Sequence, residues 1–201
     1  MGAAEYNIVI RAEGIECAEY MKSNFGIPYV YKKPYGITGT MEWLAEIAET
    51  FSLKIDVGAV RKQTDDVKTY LSQYKSYLRR AKNKDVIIYA DYDTAIGMAS
   101  LMTDLSLTPK VFSKTAPASV QIADNVTVAP TEDELKSAIA APHYALLGDD
   151  TVRLMSNGES FFQIANPNME RYNFYPRTPN TGFCGVLRWL QELMNFERAK
   201  H

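Results

Sequence analysis

Carboxylates follow a short apolar run in the middle of the chain. Residues 86–90 form a continuous apolar stretch, and Asp91, Asp93 and Thr94 come directly after it. A run of this kind is typical of a strand that is buried on both faces. Two carboxylates at a strand end can act as an acid–base pair or bind a metal ion. Aspartates at such positions more often cap a helix or lie solvated in a loop, so all of these interpretations stay open.

Polar residues also follow the two apolar runs nearest the N-terminus. Arg11 and Glu13 come after the first run, whereas Thr38 and Thr40 come after the second, in the segment Pro-Tyr-Gly-Ile-Thr-Gly-Thr. In open α/β sheets, ligands bind beyond the carboxyl ends of the strands. The four residues are therefore candidates for one binding site. The plainer interpretation of that segment is a tight turn that leads into a helix cap.

Small and polar residues precede the last predicted helix. Thr181 and Cys184 lie in the segment Thr-Pro-Asn-Thr-Gly-Phe-Cys-Gly at 178–185. Small residues at a helix start leave backbone N–H groups open to an anionic group. Thr181 is alternatively a simple N-cap.

Composition and missing motifs argue against several classes of protein. The 201 residues carry a formal charge of −2, which argues against nucleic acid as the main partner because phosphates require a clustered basic surface. The sequence contains neither the glycine patterns of dinucleotide or P-loop sites nor a His-Glu-x-x-His motif. It contains no stretch of about 20 apolar residues and no signal-peptide pattern, so we expect no membrane association and a cytoplasmic location.

Apolar periodicity predicts the elements that must position these residues. Short apolar runs alternate with helical stripes, which is the pattern of a doubly wound α/β protein. The predicted strands span 7–10, 27–31, 86–90, 111–113, 126–129, 144–147 and 161–165. The predicted helices are 16–24, a helix entered through Thr40 with its stripe at 41–51, a longer one with its stripe at 67–78, and 94–105, 131–140 and 182–196. Gly26 closes the first helix, and Thr131 with Glu134 forms a capping box.

Three segments, in order along nearly the whole chain, carry a resemblance to a known family. The first contains a helix that leads into Gly-Ile-Pro at 26–28, the turn at 34–40, and Trp-Leu-Ala-Glu-Ile-Ala at 43–48. The second is the strand and helix at 84–105, and the third is Tyr-Pro-Arg-Thr-Pro-Asn-Thr-Gly-Phe-Cys-Gly-Val-Leu at 175–187. Together they resemble the C-terminal part of nitrogenase component 1-type oxidoreductase subunits.

The resemblance implies a Rossmann-like parallel sheet with helices on both faces, preceded by part of a second similar domain. Residues 1–56 would form the partial domain, and 57–201 the C-terminal domain with a long linking helix. The family's first domain lies outside the chain; it supplies cysteines for an iron–sulfur cluster, to which an ATP-dependent iron protein delivers electrons. We therefore expect this chain alone to bind no cofactor and to be inactive. The complete complex would contain a homologous subunit, the iron–sulfur cluster, and a metallocluster or tetrapyrrole as a further candidate.

The resemblance also indicates where this chain departs from molybdenum nitrogenase. The cysteine and histidine that hold the cofactor in that protein correspond to Ile10 and Thr181, and an arginine that faces the cofactor corresponds to Thr94. These departures disfavour dinitrogen reduction. They favour a relative that reduces another substrate, acts on a tetrapyrrole or scaffolds cofactor assembly. Cys184 is either a substitute ligand or, more simply, a packed thiol.

The leading hypothesis is an oxidoreductase-family fragment whose strand-end loops line a pocket for a metallocluster, a tetrapyrrole or a small substrate. The candidate residues are Arg11, Glu13, Thr38, Thr40, Asp91, Thr94, Arg177, Thr181 and Cys184. We expect positioning and electrostatics from them because no nucleophile and base can be paired. Arg11 and Arg177 are suited to clamp a carboxylate or propionate. The alternative is a non-catalytic scaffold or binding protein for a metal cofactor.

Overall fold

The computed structural model describes residues 4–74, 76–78, 84–156, 160–166 and 179–199. Within these residues the chain forms two parallel sheets. The strands are β1 (Asn7–Val9), β2 (Tyr29–Tyr31), β3 (Asp85–Ala90), β4 (Thr108–Ser113), β5 (Val126–Val128), β6 (His143–Gly148) and β7 (Phe161–Gln163). The helices are α1 (Ile15–Phe25), α2 (Gly36–Thr50), α3 (Val57–Tyr74), α4 (Tyr92–Asp104), α5 (Glu132–Ala140), α6 (Asp150–Met155) and α7 (Gly182–Ala199).

The larger sheet has the strand order β5-β4-β3-β6-β7, with every pair parallel. Successive side chains of a strand point to opposite faces, so β3 contributes to two separate cores. Val86 and Ile88 lie in the core formed with α3, α4 and α7, whereas Ile87 lies in the core formed with α5 and α6. The fold is thus the predicted α/β sheet with helices on both faces.

The smaller sheet pairs β1 with β2 in parallel. We refer to residues 4–56, which contain this sheet, α1 and α2, as the N-terminal segment. Val9 and Ala12 pack against Ile15 and Ala18 of α1 in a core of their own. Gly26 ends α1 in the left-handed conformation with φ 69°, as predicted.

Helix α4 carries most of the contact between the N-terminal segment and the larger sheet. The ring of Tyr35 lies directly on this helix at Gly97, where a Cβ atom would come within 2.4 Å of the ring carbon Cδ2. Any side chain at this position would collide with the ring. Gly97 therefore lets the loop after β2 approach the axis of α4.

The prediction that α2 is entered through Thr40 was wrong. The helix begins at Gly36, whose φ is 72°, and Thr40 lies one turn inside it. The first N–H groups of α2 are bound from elsewhere in the chain: the Asp104 carboxylate accepts from Ile37 N at 2.5 Å and from Thr38 N at 3.0 Å. A helix that is capped by a residue distant in sequence carries no local start signal.

Helix α6 was not predicted. It spans only Asp150–Met155, too short for an apolar stripe, and begins at Asp149, whose carboxylate accepts from Thr151 N at 2.9 Å and from Val152 N at 3.3 Å. The capping box of α5 was predicted correctly, because both of its residues, Thr131 and Glu134, are local.

Among the helices that the structure describes, we found none with the length and apolar character needed to cross a membrane.

Candidate functional site

The carboxyl ends of β1, β2 and β3 converge on the side chain of Asp93. This residue lies in the first turn of α4 and is 5% exposed. Its carboxylate accepts from the backbone N–H of Ala12 at 2.7 Å and from the hydroxyl of Tyr31 at 2.6 Å. The ammonium group of Lys33 lies 2.9 Å from the same carboxylate and donates to the Tyr31 hydroxyl at 2.9 Å. The N-terminal segment thus meets the larger sheet through a buried, fully bonded carboxylate.

Four of the predicted site residues form one chain of contacts beside Asp93. Arg11 Nη2 lies 3.1 Å from Glu13 Oε1, and Arg11 Nη1 lies 3.3 Å from Asp91 Oδ1. Asp91 caps α4 by accepting from the backbone N–H of Thr94 at 3.1 Å and from its hydroxyl at 2.9 Å. The helix-cap interpretation of Asp91 is therefore confirmed. The arginine remains half-exposed at the strand ends, with two carboxylates as its partners.

Thr40 and Thr181 lie on either side of the loop after β2. The Thr40 side chain is buried, and its hydroxyl donates to Gly36 O at 2.5 Å and to Pro34 O at 3.2 Å. The backbone N–H of Gly182 donates to Pro34 O at 2.6 Å, which places Thr181 at this loop. The start of α7 is thereby joined to the N-terminal segment. The Thr40 hydroxyl is committed to backbone carbonyls.

Thr38 and Cys184 differ from expectation in their surroundings. Thr38 lies at the opposite end of α4 from Asp93, where its hydroxyl donates to Asp104 Oδ1 at 2.8 Å. Cys184 is exposed in the first turn of α7, so the prediction of a packed thiol was wrong. The side chain next to it, Phe183, occupies the buried position of that turn instead. Arg177 lies outside the described residues.

A second polar cluster lies at the carboxyl ends of β4 and β6. The ammonium group of Lys114 pairs with the Asp149 carboxylate, donates to Asn166 O at 2.6 Å, and lies 5.3 Å from the centre of the Tyr89 ring. Asp149 is 1% exposed. From the neighbouring strands β3 and β6 the chain continues in opposite directions along the sheet, to β4 and to β7. Ligands of α/β proteins bind at such a point.

Sequence reasoning missed several polar residues at these strand ends. Asp149 and Asp150 follow an apolar run just as Asp91 does, so the rule that selected Asp91 applies to them as well. Tyr31 and Lys33 lie two positions apart at the end of β2 and therefore point to the same side. Their common partner, Asp93, is distant in sequence, and no local pattern indicated this pairing.

An apolar groove of about 440 Å³ lies between α3 and α7. It is lined by Tyr70, Tyr74, Leu187, Leu190, Gln191, Met194 and Asn195. None of the predicted site residues that the structure describes contributes to it, so the groove is separate from the strand-end clusters.

The chain has recognisable relatives. A family model for nitrogenase component 1-type oxidoreductases matches residues 1–196. The chain belongs to this family. Over 102 residues, or 50% of the chain, it is 30% identical to the nitrogenase iron-iron protein beta chain of Rhodobacter capsulatus, of which it covers 22%.

Solved structures of nitrogenase component 1 share the fold. A structure of nitrogenase Cp1 at pH 6.5 matches 99% of the chain with a TM-score of 0.81 and 17% identity, and one at pH 5 matches 98% with a TM-score of 0.77 and 14% identity. The chain covers 46% and 48% of these two proteins. It therefore spans about half the length of the nitrogenase chains whose fold it shares, and less of the Rhodobacter relative.

The residues that the resemblance places at the cofactor-facing positions of molybdenum nitrogenase provide no ligands for a metallocluster in this structure. Ile10, expected at the cysteine position, is apolar and 58% exposed. Thr94, expected at the position of the arginine that faces the cofactor, has its hydroxyl bound to Asp91. Across the described ranges, no three His, Cys, Asp or Glu side chains are grouped so that they could hold a metal ion. The charged residues at the ends of β1, β2 and β3 are bound to one another. This arrangement is suited to polar positioning of a ligand rather than to direct metal ligation.

Burial raises the pKa values of several tyrosines above the ordinary value of 10.0, among them Tyr31, Tyr35 and Tyr144. For Tyr31 the second cause is its hydrogen bond to Asp93, for Tyr35 it is the negative charge of Asp91, and for Tyr144 it is that of Glu197. All three hydroxyls are therefore protonated at neutral pH and are not available as bases.

These raised pKa values predict an alkaline loss of stability. In the unfolded chain the phenols ionise near pH 10, whereas in the folded chain they stay protonated to higher pH. The contribution of the protonated phenols to the free energy of unfolding is therefore complete below pH 10 and is lost as pH rises above it. Urea unfolding at about pH 8 and about pH 11 should show a lower free energy of unfolding at the higher pH. The fall should be smaller in Tyr144→Phe; an equal fall would contradict the assignment.

Proposed function

We propose that this chain is part of a nitrogenase-like oxidoreductase subunit whose strand-end loops line a pocket for a bound group. One observation carries the proposal: the polar residues that follow β1, β2 and β3 meet at one place, with Arg11 half-exposed beside it. The donor set favours a tetrapyrrole or a small anionic substrate over a metallocluster ligated here. Arg11 would bind a carboxylate or propionate in exchange for Glu13 or Asp91.

The proposal extends to the complete protein, of which this chain spans a part. The whole subunit would carry an iron–sulfur cluster, pair with a homologous subunit and receive electrons from an ATP-dependent iron protein in the cytoplasm. Residues 1–56 would belong to one Rossmann-like domain and 57–201 to the last one. In contrast to the expectation from the resemblance, this chain alone would bind the group, because the residues that meet beside Arg11 all belong to it. It would not turn the group over, because the electron source lies outside it.

A non-catalytic scaffold for a metal cofactor is the second candidate. It is favoured by the internal pairing of the strand-end charges, since Asp91, Asp93 and Asp149 each have a cation of the same chain as partner. Charges that are neutralised in this way contribute to a fixed architecture more than to the stabilisation of a developing charge in a reaction.

Spectroscopic titration of the anaerobically purified chain tests the proposal. Free-base and metallated tetrapyrroles with propionate side chains would be added, and the visible spectrum recorded, together with iron, nickel and cobalt analysis of the chain. We expect a shifted spectrum with one-to-one stoichiometry. Because Arg11 supplies a charge-assisted hydrogen bond, Arg11→Gln should weaken binding by roughly 10-fold or more.

Two variants sharpen the result. Glu13→Gln removes a competitor for Arg11 and should tighten binding. Arg61→Gln removes an arginine that is exposed on α3, away from the strand ends, and should leave binding unchanged. A chain that shifts no tetrapyrrole spectrum, or that binds equally well with Arg11→Gln, would contradict a tetrapyrrole site at these loops and favour the scaffold.

A further inference from the structure

The Asp93 carboxylate is surrounded by donors that all belong to the N-terminal segment. They are the backbone N–H of Ala12, the hydroxyl of Tyr31 and the ammonium group of Lys33, each within 2.9 Å. Asp93 itself belongs to α4, which packs on the larger sheet. The donors thus form a carboxylate socket on one part of the molecule, and the carboxylate is provided by the other part.

The socket is enclosed. The side chains of Lys33 and Asp93 are 14% and 6% exposed, and Lys33 lies 4.3 Å from the centre of the Tyr31 ring and 5.7 Å from that of Tyr92. Donors that lose their acceptor in such a place cannot all turn to water, which makes their pairing with a carboxylate strongly favourable. A socket of this kind recognises any anion of carboxylate size that reaches it.

We propose that Asp93 is a positioning residue whose carboxylate, seated in this socket, sets the spacing between the N-terminal segment and the larger sheet, and that the emptied socket binds formate. The proposal goes beyond the proposed function, because it concerns the contact between the two parts of the chain and not the group bound at the strand ends. Its test uses the chain without any tetrapyrrole or substrate, so its failure and that of the proposed function are distinguishable.

Removal of the carboxylate and its return as a separate ion form the first part of the test. Asp93→Ala keeps Cβ and leaves a space the size of formate. Its thermal midpoint should be several degrees below that of the native chain, and sodium formate should raise it in a saturable manner, beyond sodium chloride at the same ionic strength. The native chain and Thr131→Ala, which loses the α5 cap instead, should respond alike to the two salts.

The native cysteines report the spacing directly. Cys17 on α1 and Cys184 on α7 are both exposed, and they are the two cysteines of the sequence. With spin labels on both, pulsed dipolar spectroscopy should give a narrow distance distribution for the native chain and for Thr131→Ala. We expect a broader or shifted distribution for Asp93→Ala, which formate returns to the native form.

An isosteric variant covers the case in which Asp93→Ala does not fold. Asp93→Asn retains one acceptor oxygen but presents an amide to the remaining donors, and it leaves no space for formate. It should broaden the distance distribution without any response to formate. Native-like distributions in the folded variants, or a formate effect on Asp93→Ala no larger than that of chloride, would overturn the proposal.

Discussion

Replacement of Asp149 by alanine is expected to lower the free energy of unfolding by about 3 kcal/mol or more, because two contributions are lost together. The carboxylate is 1% exposed and is the partner of Lys114, and it also caps α6 through the N–H groups of Thr151 and Val152. Lys114 is 25% exposed and keeps some contact with water, which places the estimate at the lower end of the range for a broken buried pair. Urea unfolding followed by circular dichroism would measure the change.

Asp149→Asn separates the two contributions. The amide oxygen can still accept from the backbone and cap α6, whereas the charge opposite Lys114 is lost. We expect a smaller destabilisation than with alanine. If Asp149→Ala and Lys114→Met each changed the free energy of unfolding by less than about 1 kcal/mol, the result would show that the buried pair does not stabilise the carboxyl ends of β4 and β6.

Replacement of Trp189 by alanine should have an effect of similar size. Trp189 is 2% exposed in the main core, with its ring centroid 5.7 Å from that of Phe162. Its indole N–H donates to Asn180 Oδ1 at 3.0 Å, so it fixes the approach to α7 as well. Truncation of a buried aromatic residue costs about 3–5 kcal/mol, which is a large fraction of the stability of an ordinary domain.

The matched control is Trp189→Phe, which retains a ring and loses the hydrogen bond. It should cost clearly less than alanine, with about 1 kcal/mol from the missing donor. The only other tryptophan is Trp43, so the fluorescence of this variant reports α2 alone. Equal losses for phenylalanine and alanine would indicate that the Asn180 contact, rather than the ring volume, dominates.

Local signals explain why much of the fold was predictable. The run at 86–90 is apolar at every position, and the capping box of Thr131 and Glu134 and the left-handed Gly26 depend on neighbouring residues only. The start of α2 was not predictable, because its cap, Asp104, comes from another helix. A helix is recognised in a sequence by apolar residues that recur along one face, and α6 is too short for such a recurrence.

The candidate site was predictable to the extent that it follows from strand ends. The rule that strand ends carry function selected Arg11, Glu13, Asp91 and Thr94, and the structure brings these four together. The same rule included Thr38, which the geometry of α2 directs to the far end of α4. It could not reveal the pairing of Tyr31 and Lys33 with Asp93, because contact between residues so distant in sequence depends on the complete fold.

The bonds at both ends of α4 also determine when the N-terminal segment can acquire its final form. The hydrogen bonds to Asp93 join residues separated by 81 and 62 positions, and those to Asp104 join residues separated by 66 and 67. During synthesis at about 5–20 residues per second, the segment therefore leaves the ribosome seconds before its partner helix exists. Closure of such long loops must precede any gain from these bonds, so the segment should resist proteases only after α4 has been synthesised. On a translating ribosome, chaperones that bind nascent chains would encounter the N-terminal segment while the edges of its strands are still unpaired.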